Sequence, residues 1–276
     1  MKRIIILSVV ILFVLLIYFY EYSSNEINRE VISMVDNETS SNVTITIVYD
    51  NNEFDKKLKT AWGFSCLVEL EDKNILFDTG GDSPTLLGNM EKLGIDLKKV
   101  DIIVLSHIHG DHTGGLTGVL EINPDVTVYI LKSFPSSFKD EIKSYGATFE
   151  EVSDPTKIFD GVYTTGELGN WIKEQSLIIK TEKGLVVITG CAHPGIVNIV
   201  KKSKEITKGD VYFVTGGFHL GSVSDADLTQ IINAFREFSV KKVGPCHCSG
   251  DRCRELFEEE YKDDFVEVAV GKVIKI

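Results

Sequence analysis

A ten-residue stretch, Ser106–Gly115, constrains the fold of this chain more than any other feature. Three histidines and one aspartate occupy six consecutive positions with only two intervening residues: His107, His109, Asp111 and His112. Crowding polar side chains in this way is costly unless hydrogen bonds or a cation compensate for their desolvation. An apolar run, residues 100–105, precedes the stretch, and a helix-like segment, residues 116–120, follows it. The cluster is therefore predicted to lie in the loop between a buried strand and a helix.

The spacing within this stretch is typical of a metal site. Residues two apart in an extended segment point the same way, so His107 and His109 can bind one ion together. Asp111 and His112 follow Gly110, where the backbone can turn and direct them at a second ion. Neutral imidazole suits zinc, iron and related metals, whereas a carboxylate also suits harder ions such as manganese. We therefore predict two divalent metal ions, zinc first, with manganese or iron as alternatives.

The chain has three further histidines, and each follows an apolar run that ends in a Gly-rich or Cys-rich turn. They are His193, His219 and His247. No histidine is left for an ordinary surface or core position. The whole histidine content of the chain is thus predicted to belong to one site.

Five motifs together resemble the metallo-β-lactamase superfamily. They are Phe77–Gly81 (FDTGG), Ser106–Gly115, Gly190–Gly195 (GCAHPG), Gly216–Leu220 (GGFHL) and Pro245–Cys248 (PCHC). The motifs are most similar to one branch, the proteins like the dihydropterin–ribofuranosylaminobenzene 5′-phosphate synthase of methanopterin biosynthesis. The resemblance runs from Val43 to the C-terminus. It implies the α+β class, with an αββα four-layer sandwich around a dinuclear metal site.

The resemblance also implies roles for individual residues. His193 would be the third ligand of the first ion, and His247 would complete the second ion with Asp111 and His112. Asp78 would accept a hydrogen bond from a liganding imidazole, although an aspartate here could instead cap the turn. Many superfamily members have a bridging aspartate where this chain reads Gly-Gly-Phe-His-Leu. His219 is therefore either a metal ligand or, as we favour, a substrate-facing group that donates a proton to the leaving group or contacts a substrate phosphate. Asp111 would orient the nucleophile.

Composition limits the range of partners. A hydrophobic fraction of 43% is that of a globular protein with a sizeable core. The formal net charge of −12 argues against a nucleic-acid partner, which normally needs a basic face. We therefore expect a small-molecule substrate and no nucleic acid.

The N-terminus is predicted to be a separate element. Residues Ile4–Tyr20 carry no charge, and Lys2 and Arg3 precede them. This length is just enough to span a bilayer, and the two basic residues favour a cytoplasmic location for the end of the segment that carries them. We expect residues 1–22 to form an uncleaved signal anchor, with a polar stalk at 23–42 and the catalytic domain, 43–276, outside the cytoplasm. Secretion after cleavage of the segment is the alternative.

The remaining patterns concern strands and cysteines. Apolar runs fall into two groups, each followed by helices, which favours two packed sheets covered by helices. The chain is predicted to close with two strands, residues 265–270 and 273–276. Cys66 and Cys191 are interpreted as small buried thiols. A Cys248–Cys253 or Cys246–Cys253 disulfide is an open alternative outside the cell.

Three functional hypotheses follow. The first is a metal-dependent hydrolase of a small ester, lactone, thioester or phosphodiester, in which the metals activate a water. The second, implied by the branch resemblance, is a synthase-like transferase that releases pyrophosphate. The third is a tethered metal-binding domain without turnover. A membrane-tethered, outward-facing enzyme has no obvious place in a cytoplasmic cofactor pathway, so we favour hydrolysis.

Overall fold

The structure, a computed structural model, describes residues 39–276. The predicted anchor at 1–22 and most of the predicted stalk at 23–42 lie outside these residues. Within 39–276, no helix is both long enough and apolar enough to cross a membrane.

Thirteen strands in the described part of the chain form two sheets. They are β1 (Thr44–Tyr49), β2 (Ser65–Glu69), β3 (Asn74–Phe77), β4 (Ile102–Val104), β5 (Thr127–Leu131), β6 (Thr148–Val152), β7 (Thr156–Phe159), β8 (Val162–Thr164), β9 (Leu177–Thr181), β10 (Gly184–Thr189), β11 (Val211–Gly217), β12 (Lys242–Cys246) and β13 (Val273–Lys275). The first sheet has the order β13-β1-β2-β3-β4-β5-β6, and the second has the order β12-β11-β10-β9-β8-β7.

The first sheet contributes to two hydrophobic cores, because successive side chains along its strands point to opposite faces. In β2, Cys66 and Val68 face the second sheet, whereas Leu67 between them faces the helices. In β4, Ile102 and Val104 face the second sheet, and Ile103 faces the helices. Successive side chains of a strand point to opposite faces, so strands covered on both sides must be apolar on both.

Seven helices lie between or after these strands in residues 39–276. They are α1 (Ser83–Lys92), α2 (Gly110–Thr113), α3 (Leu116–Ile122), α4 (Ser136–Ser144), α5 (Ile196–Thr207), α6 (Asp225–Glu237) and α7 (Asp251–Tyr261). Apolar residues of α1, α3 and α4 pack on the outer face of the first sheet. On the second sheet, α7 contacts β12 and α5 contacts β11. The four-layer αββα sandwich predicted from the sequence is confirmed.

Strand direction determines where the loops gather. The pairs β3-β4, β4-β5 and β5-β6 are parallel, as are β10-β11 and β11-β12. In sheets of this kind, ligands bind beyond the carboxyl ends of the parallel strands. Every sequence-predicted site residue follows the carboxyl end of one of these strands.

One predicted strand is wrong. Residues 265–270 do not form a strand; they make only single bridges, from Phe265 to Val243 and from Val270 to Glu53. The backbone N–H of Val266 bonds to Val243 of the second sheet, while that of Val270 bonds to Asn52, which follows the first. The segment therefore runs from one sheet to the other, and its alternating pattern reflects burial of Val268 between them. The final strand, β13, is confirmed.

Candidate metal centre

The loops after five strands bring the predicted site residues together. Asp78 follows β3, the histidine cluster follows β4, and His193, His219 and His247 follow β10, β11 and β12 in turn. Residues from 78 to 247 in the sequence therefore meet at one edge of the sandwich.

Three imidazoles form the first group of candidate ligands: His107, His109 and His193. His107 Nε2 lies 3.0 Å from His109 Nδ1, and the rings of both lie within 5.0 Å of the His193 ring, centroid to centroid. His193 Nε2 is buried and has no hydrogen-bond partner among residues 39–276. Buried polar atoms are nearly always satisfied, so this convergence of nitrogens fits a cation.

A second group lies beside the first and consists of Asp111, His112, His247 and Cys191. His112 Nε2 is 3.2 Å from Cys191 Sγ, and Asp111 Oδ2 is 3.4 Å from His247 Nε2. His247 Nε2 is the second buried imidazole nitrogen without a hydrogen-bond partner in the described chain. An aspartate, two histidines and a thiol are a donor set that suits zinc or iron.

Cys191 is a free, buried thiol, as the sequence predicts. Its sulfur also faces the second group of candidate ligands, which the sequence interpretation missed. The signal was present in the motif Gly-Cys-Ala-His, where Cys191 stands two residues before His193. Cys191 therefore offers a donor in a chain whose GGFHL loop has no bridging aspartate.

A buried network orients two of the imidazoles. Asp78 accepts hydrogen bonds from Ser106 N at 2.6 Å, Ser106 Oγ at 2.7 Å and His112 Nδ1 at 2.7 Å. Since Ser106 Oγ donates to Asp78, it can accept from His107 Nδ1, which lies 2.9 Å away. Both rings are thereby held with Nε2 unprotonated and directed at the site, as ligating histidines usually are. Asp78 thus makes a hydrogen bond of the kind that the resemblance implies, and its role beside a metal stays a prediction.

Two backbone features allow this network. Asp78 adopts a left-handed conformation with φ of 54°, which aspartate tolerates better than most residues. At Gly190, a Cβ atom would stand 2.1 Å from Ser106 Oγ. Only glycine at this position lets the loop after β10 approach Ser106.

The sequence reasoning missed Glu174 altogether. This fully buried carboxylate accepts hydrogen bonds from Thr189 Oγ1 and from four consecutive backbone N–H groups, those of residues 190–193, at 2.8–3.1 Å. Burial raises the pKa of Glu174, and the backbone donors oppose that rise. Glu174 thus fixes the loop that carries Cys191 and His193. Nothing in the local sequence marks this glutamate, because its partners lie 15 or more residues away.

His247 is positioned from the opposite side. Its Nδ1 lies 3.0 Å from Asn51 Oδ1, and its backbone N–H donates to Asp50 Oδ2 at 3.0 Å. The Trp62 ring, which is 60% exposed, lies 4.9 Å from the His247 ring. Asn51 Oδ1 therefore accepts a hydrogen bond from Nδ1–H of His247, which leaves Nε2 free to face the site.

The electrostatics favour a neutral His107, a neutral His193 and an ionised Asp111. Burial, reinforced by the neighbouring histidines, lowers the pKa of His107 and brings that of His193 to about 4. Burial opposes the ionisation of Asp111, but the adjacent His247 ring and the charge of His112 outweigh it and lower the Asp111 pKa. Burial likewise opposes charging of His112, whose pKa is nevertheless raised by Asp78. Bound cations would repel protons from these nitrogens further.

His219 lies at the exposed edge of the site. Its ring is 4.5 Å from the His193 ring, and its hydrogen bond with Cys248 raises its pKa. His219 belongs to neither of the two groups of candidate ligands described above. It forms a third candidate group with Cys191 and Cys248.

All five cysteines fall within residues 39–276 and are free, so neither suggested disulfide of Cys253 is formed. Cys253 and Cys246 are instead buried separately, in α7 and in the core between the sheets.

The comparison with known families agrees with this geometry. The model of the metallo-beta-lactamase superfamily matches residues 63–201. The chain belongs to the metallo-β-lactamase superfamily. The match includes the first group of ligands, the Asp78 network and Glu174. His219 and His247 lie beyond it.

Individual relatives extend the comparison to most of the chain. The 7,8-dihydropterin-6-methyl-4-(beta-D-ribofuranosyl)-aminobenzene-5'-phosphate synthase of Methanocaldococcus jannaschii is 33% identical, over 83% of this chain and 95% of its own. The crystal structure of a metal-dependent hydrolase of the beta-lactamase superfamily is 28% identical, with a TM-score of 0.73 over 85% of this chain and 99% of its own. The short form of human tRNase Z shares the fold at 14% identity, with a TM-score of 0.57 over 84% of this chain and 98% of its own. The resemblance predicted from the motifs is confirmed.

Proposed function

We propose that this protein is a dinuclear metal-dependent hydrolase of a small ester, lactone, thioester or phosphodiester. The observation that carries the proposal is the pair of buried imidazole nitrogens, on His193 and His247, that lack any hydrogen-bond partner in residues 39–276. Each belongs to one of two adjacent donor groups, which supports two cations rather than one. Among the similar structures, a metal-dependent hydrolase supports the reaction class.

The residues of the chain divide the chemistry between them. Two divalent cations, zinc first and manganese or iron as alternatives, would supply Lewis acidity and a nucleophilic oxygen at neutral pH. Asp111, half-exposed and ionised, accepts a hydrogen bond from the attacking water and orients it. His219 stands at the exposed edge, where it can protonate the departing group. Exposed Trp62 beside His247 offers an apolar wall to the substrate.

One experiment tests hydrolysis directly. The full-length protein, loaded with zinc or with manganese, is assayed on bis(4-nitrophenyl) phosphate, a nitrophenyl ester, a lactone and a thioester. Asp111→Asn and His219→Ala are expected to lower kcat on the preferred substrate by about 100-fold or more. The matched control is Glu182→Gln, a change at an exposed hairpin residue, which should leave kcat unchanged. Tight metal binding without turnover of any of the four substrates would refute the proposal and favour a non-catalytic metal-binding domain.

A transferase that releases pyrophosphate is the second candidate. It is favoured by the relative with 33% identity over most of both chains, which is named as a synthase. In that reaction the cations would stabilise a departing pyrophosphate, and His219 would face the phosphate. Pyrophosphate release from a pterin pyrophosphate, dependent on an aminobenzene ribotide as acceptor, would establish this activity. Hydrolysis of the pterin pyrophosphate without an acceptor would support the first proposal instead.

We further propose that residues 1–22 anchor the protein in a membrane, with residues 43–276 outside the cytoplasm. The uncharged run Ile4–Tyr20 and the basic residues before it support this orientation. Protease added to intact cells with a permeabilised outer envelope should degrade the domain, whereas a cytoplasmic marker protein should survive. Release of the protein by alkaline carbonate washing would refute the anchor.

A further inference from the structure

A third set of metal-binding side chains lies beside the two groups described above. Cys191 Sγ and Cys248 Sγ are 3.3 Å apart, and His219 offers a ring nitrogen. The three donor atoms lie within 4.8 Å of one another. The two-cation arrangement uses Cys191 but leaves Cys248 and His219 without a ligand role.

Ser249 and Gly217 allow these three side chains to lie together. Ser249 Oγ accepts from Phe218 N at 3.0 Å and donates to Cys246 O at 2.6 Å. It therefore ties the loop that carries His219 to the turn that carries Cys248. At Gly217, a Cβ atom would stand 2.7 Å from Cys248 Sγ and 2.4 Å from the Gly190 carbonyl oxygen, so the thiol occupies space that only glycine leaves.

The donor chemistry specifies the kind of cation. Two sulfurs and an imidazole suit zinc and other thiophilic metals, whereas manganese, magnesium and calcium prefer oxygen. Three protein ligands would leave a fourth tetrahedral position for water or another small ligand.

We propose that Cys191, His219 and Cys248 form a third metal-binding position, specific for thiophilic cations, that shares the Cys191 thiolate with the second position. Repulsion between neighbouring dications makes this position weaker than the first two. The two thiolates and the Asp111 carboxylate reduce that repulsion. With zinc or cobalt the protein is expected to bind two ions tightly and a third more weakly, whereas with manganese it binds no more than two.

One consequence rests on the proposed function. Occupation of the third position would convert His219 from a proton donor into a ligand. Excess zinc is therefore expected to inhibit turnover, and excess manganese is not. Metal stoichiometry does not depend on turnover, so failure of the hydrolase proposal would leave the third position testable.

The test is a cobalt titration of the full-length protein, fully reduced beforehand. Bound metal is measured by elemental analysis, and thiolate ligation by the sulfur-to-cobalt charge-transfer absorption. The unaltered protein should bind three equivalents, the third with an increase in that absorption. Cys248→Ser and His219→Ala should each bind two equivalents and lose this increase, whereas Cys253→Ala, the removal of a thiol outside the group, should still bind three.

Several results would overturn the proposal. One is saturation of the unaltered protein at two equivalents. Another is loss of an equivalent in His219→Ala but not in Cys248→Ser, which would assign His219 to the first group. Retention of the third equivalent and its absorption in both variants would also refute it. Because His219 is exposed, its variant tests the proposal even if Cys248→Ser does not fold.

Discussion

Replacing Glu174 with glutamine is expected to destabilise the protein and weaken its metal site together. In the native protein, one carboxylate oxygen accepts from Thr189 Oγ1 and from the N–H groups of residues 190–192. The other accepts from His193 N at 2.8 Å. Glutamine can keep one oxygen facing the four donors, but its NH₂ group then confronts the His193 N–H.

The magnitude follows from the contacts. One hydrogen bond to a charged acceptor is lost, which costs about 1.5–3 kcal/mol, and the other four lose the charge that strengthens them. That cost includes leaving the partly buried His193 N–H without an acceptor. Glutamine avoids the desolvation that raises the pKa of Glu174, which offsets part of this loss, so we expect the free energy of unfolding of the metal-free protein to fall by about 1.5–3 kcal/mol.

Urea unfolding of the metal-free protein measures this change, with Glu182→Gln as the matched control. The control removes an exposed charge from a hairpin turn and should alter the free energy of unfolding by no more than about 0.5 kcal/mol. Zinc affinity of the Glu174→Gln protein should drop by about 10–100-fold, because His193 is displaced. A loss of stability below about 1 kcal/mol would refute the reasoning, since it would mean that the five contacts contribute little beyond solvation of the carboxylate.

The remaining predictions concern the Ser106 network and the glycines around it. Ser106→Ala should lower zinc affinity by about 10–100-fold, measured by competition with a chelating dye, because His107 loses the partner that orients it. Gly190→Ala should destabilise the protein in urea by about 1–3 kcal/mol, because its Cβ would overlap Ser106 Oγ, whereas Gly88→Ala in the open face of α1 should stabilise it by up to about 1 kcal/mol. Asp82→Ala should cost about 1 kcal/mol, because Asp82 caps α1 through Thr85 N. Burial opposes ionisation of Asp82, but its hydrogen bonds outweigh burial and lower its pKa, so its contribution is present above about pH 4 and is lost as the pH falls through the lowered value; Asp82→Asn should retain the cap without that loss. Equal stability of the two Asp82 variants, or equal effects of the two glycine changes, would contradict these assignments.

The nucleic-acid prediction is separate from the site. The net charge of −12 predicts that the protein does not bind RNA. The fold itself is shared with a human tRNase Z, so fold similarity does not decide the question. Filter binding of a transfer RNA at low salt, where electrostatic attraction is greatest, tests the prediction.

The sequence alone determined the features that depend on neighbouring residues. The histidine cluster can be predicted to bind metal from the sequence alone. His107, His109, Asp111 and His112 are so close in sequence that any fold brings them together. The strands of the first sheet are equally local, since their apolar runs mark segments that are covered on both faces. The same rule failed at residues 265–270, where apolar residues are buried without a continuous strand partner.

Only the tertiary structure shows which side chains that are distant in sequence lie close together. Glu174 is one of 41 acidic residues, and only the approach of β9 to the loop after β10 turns it into the acceptor for His193. Cys191, His219 and Cys248 come from three separate loops, so their proximity follows from the order of strands in the second sheet. The sequence shows which side chains are able to bind a cation. The order of the strands determines which of these side chains lie close enough to bind the same cation.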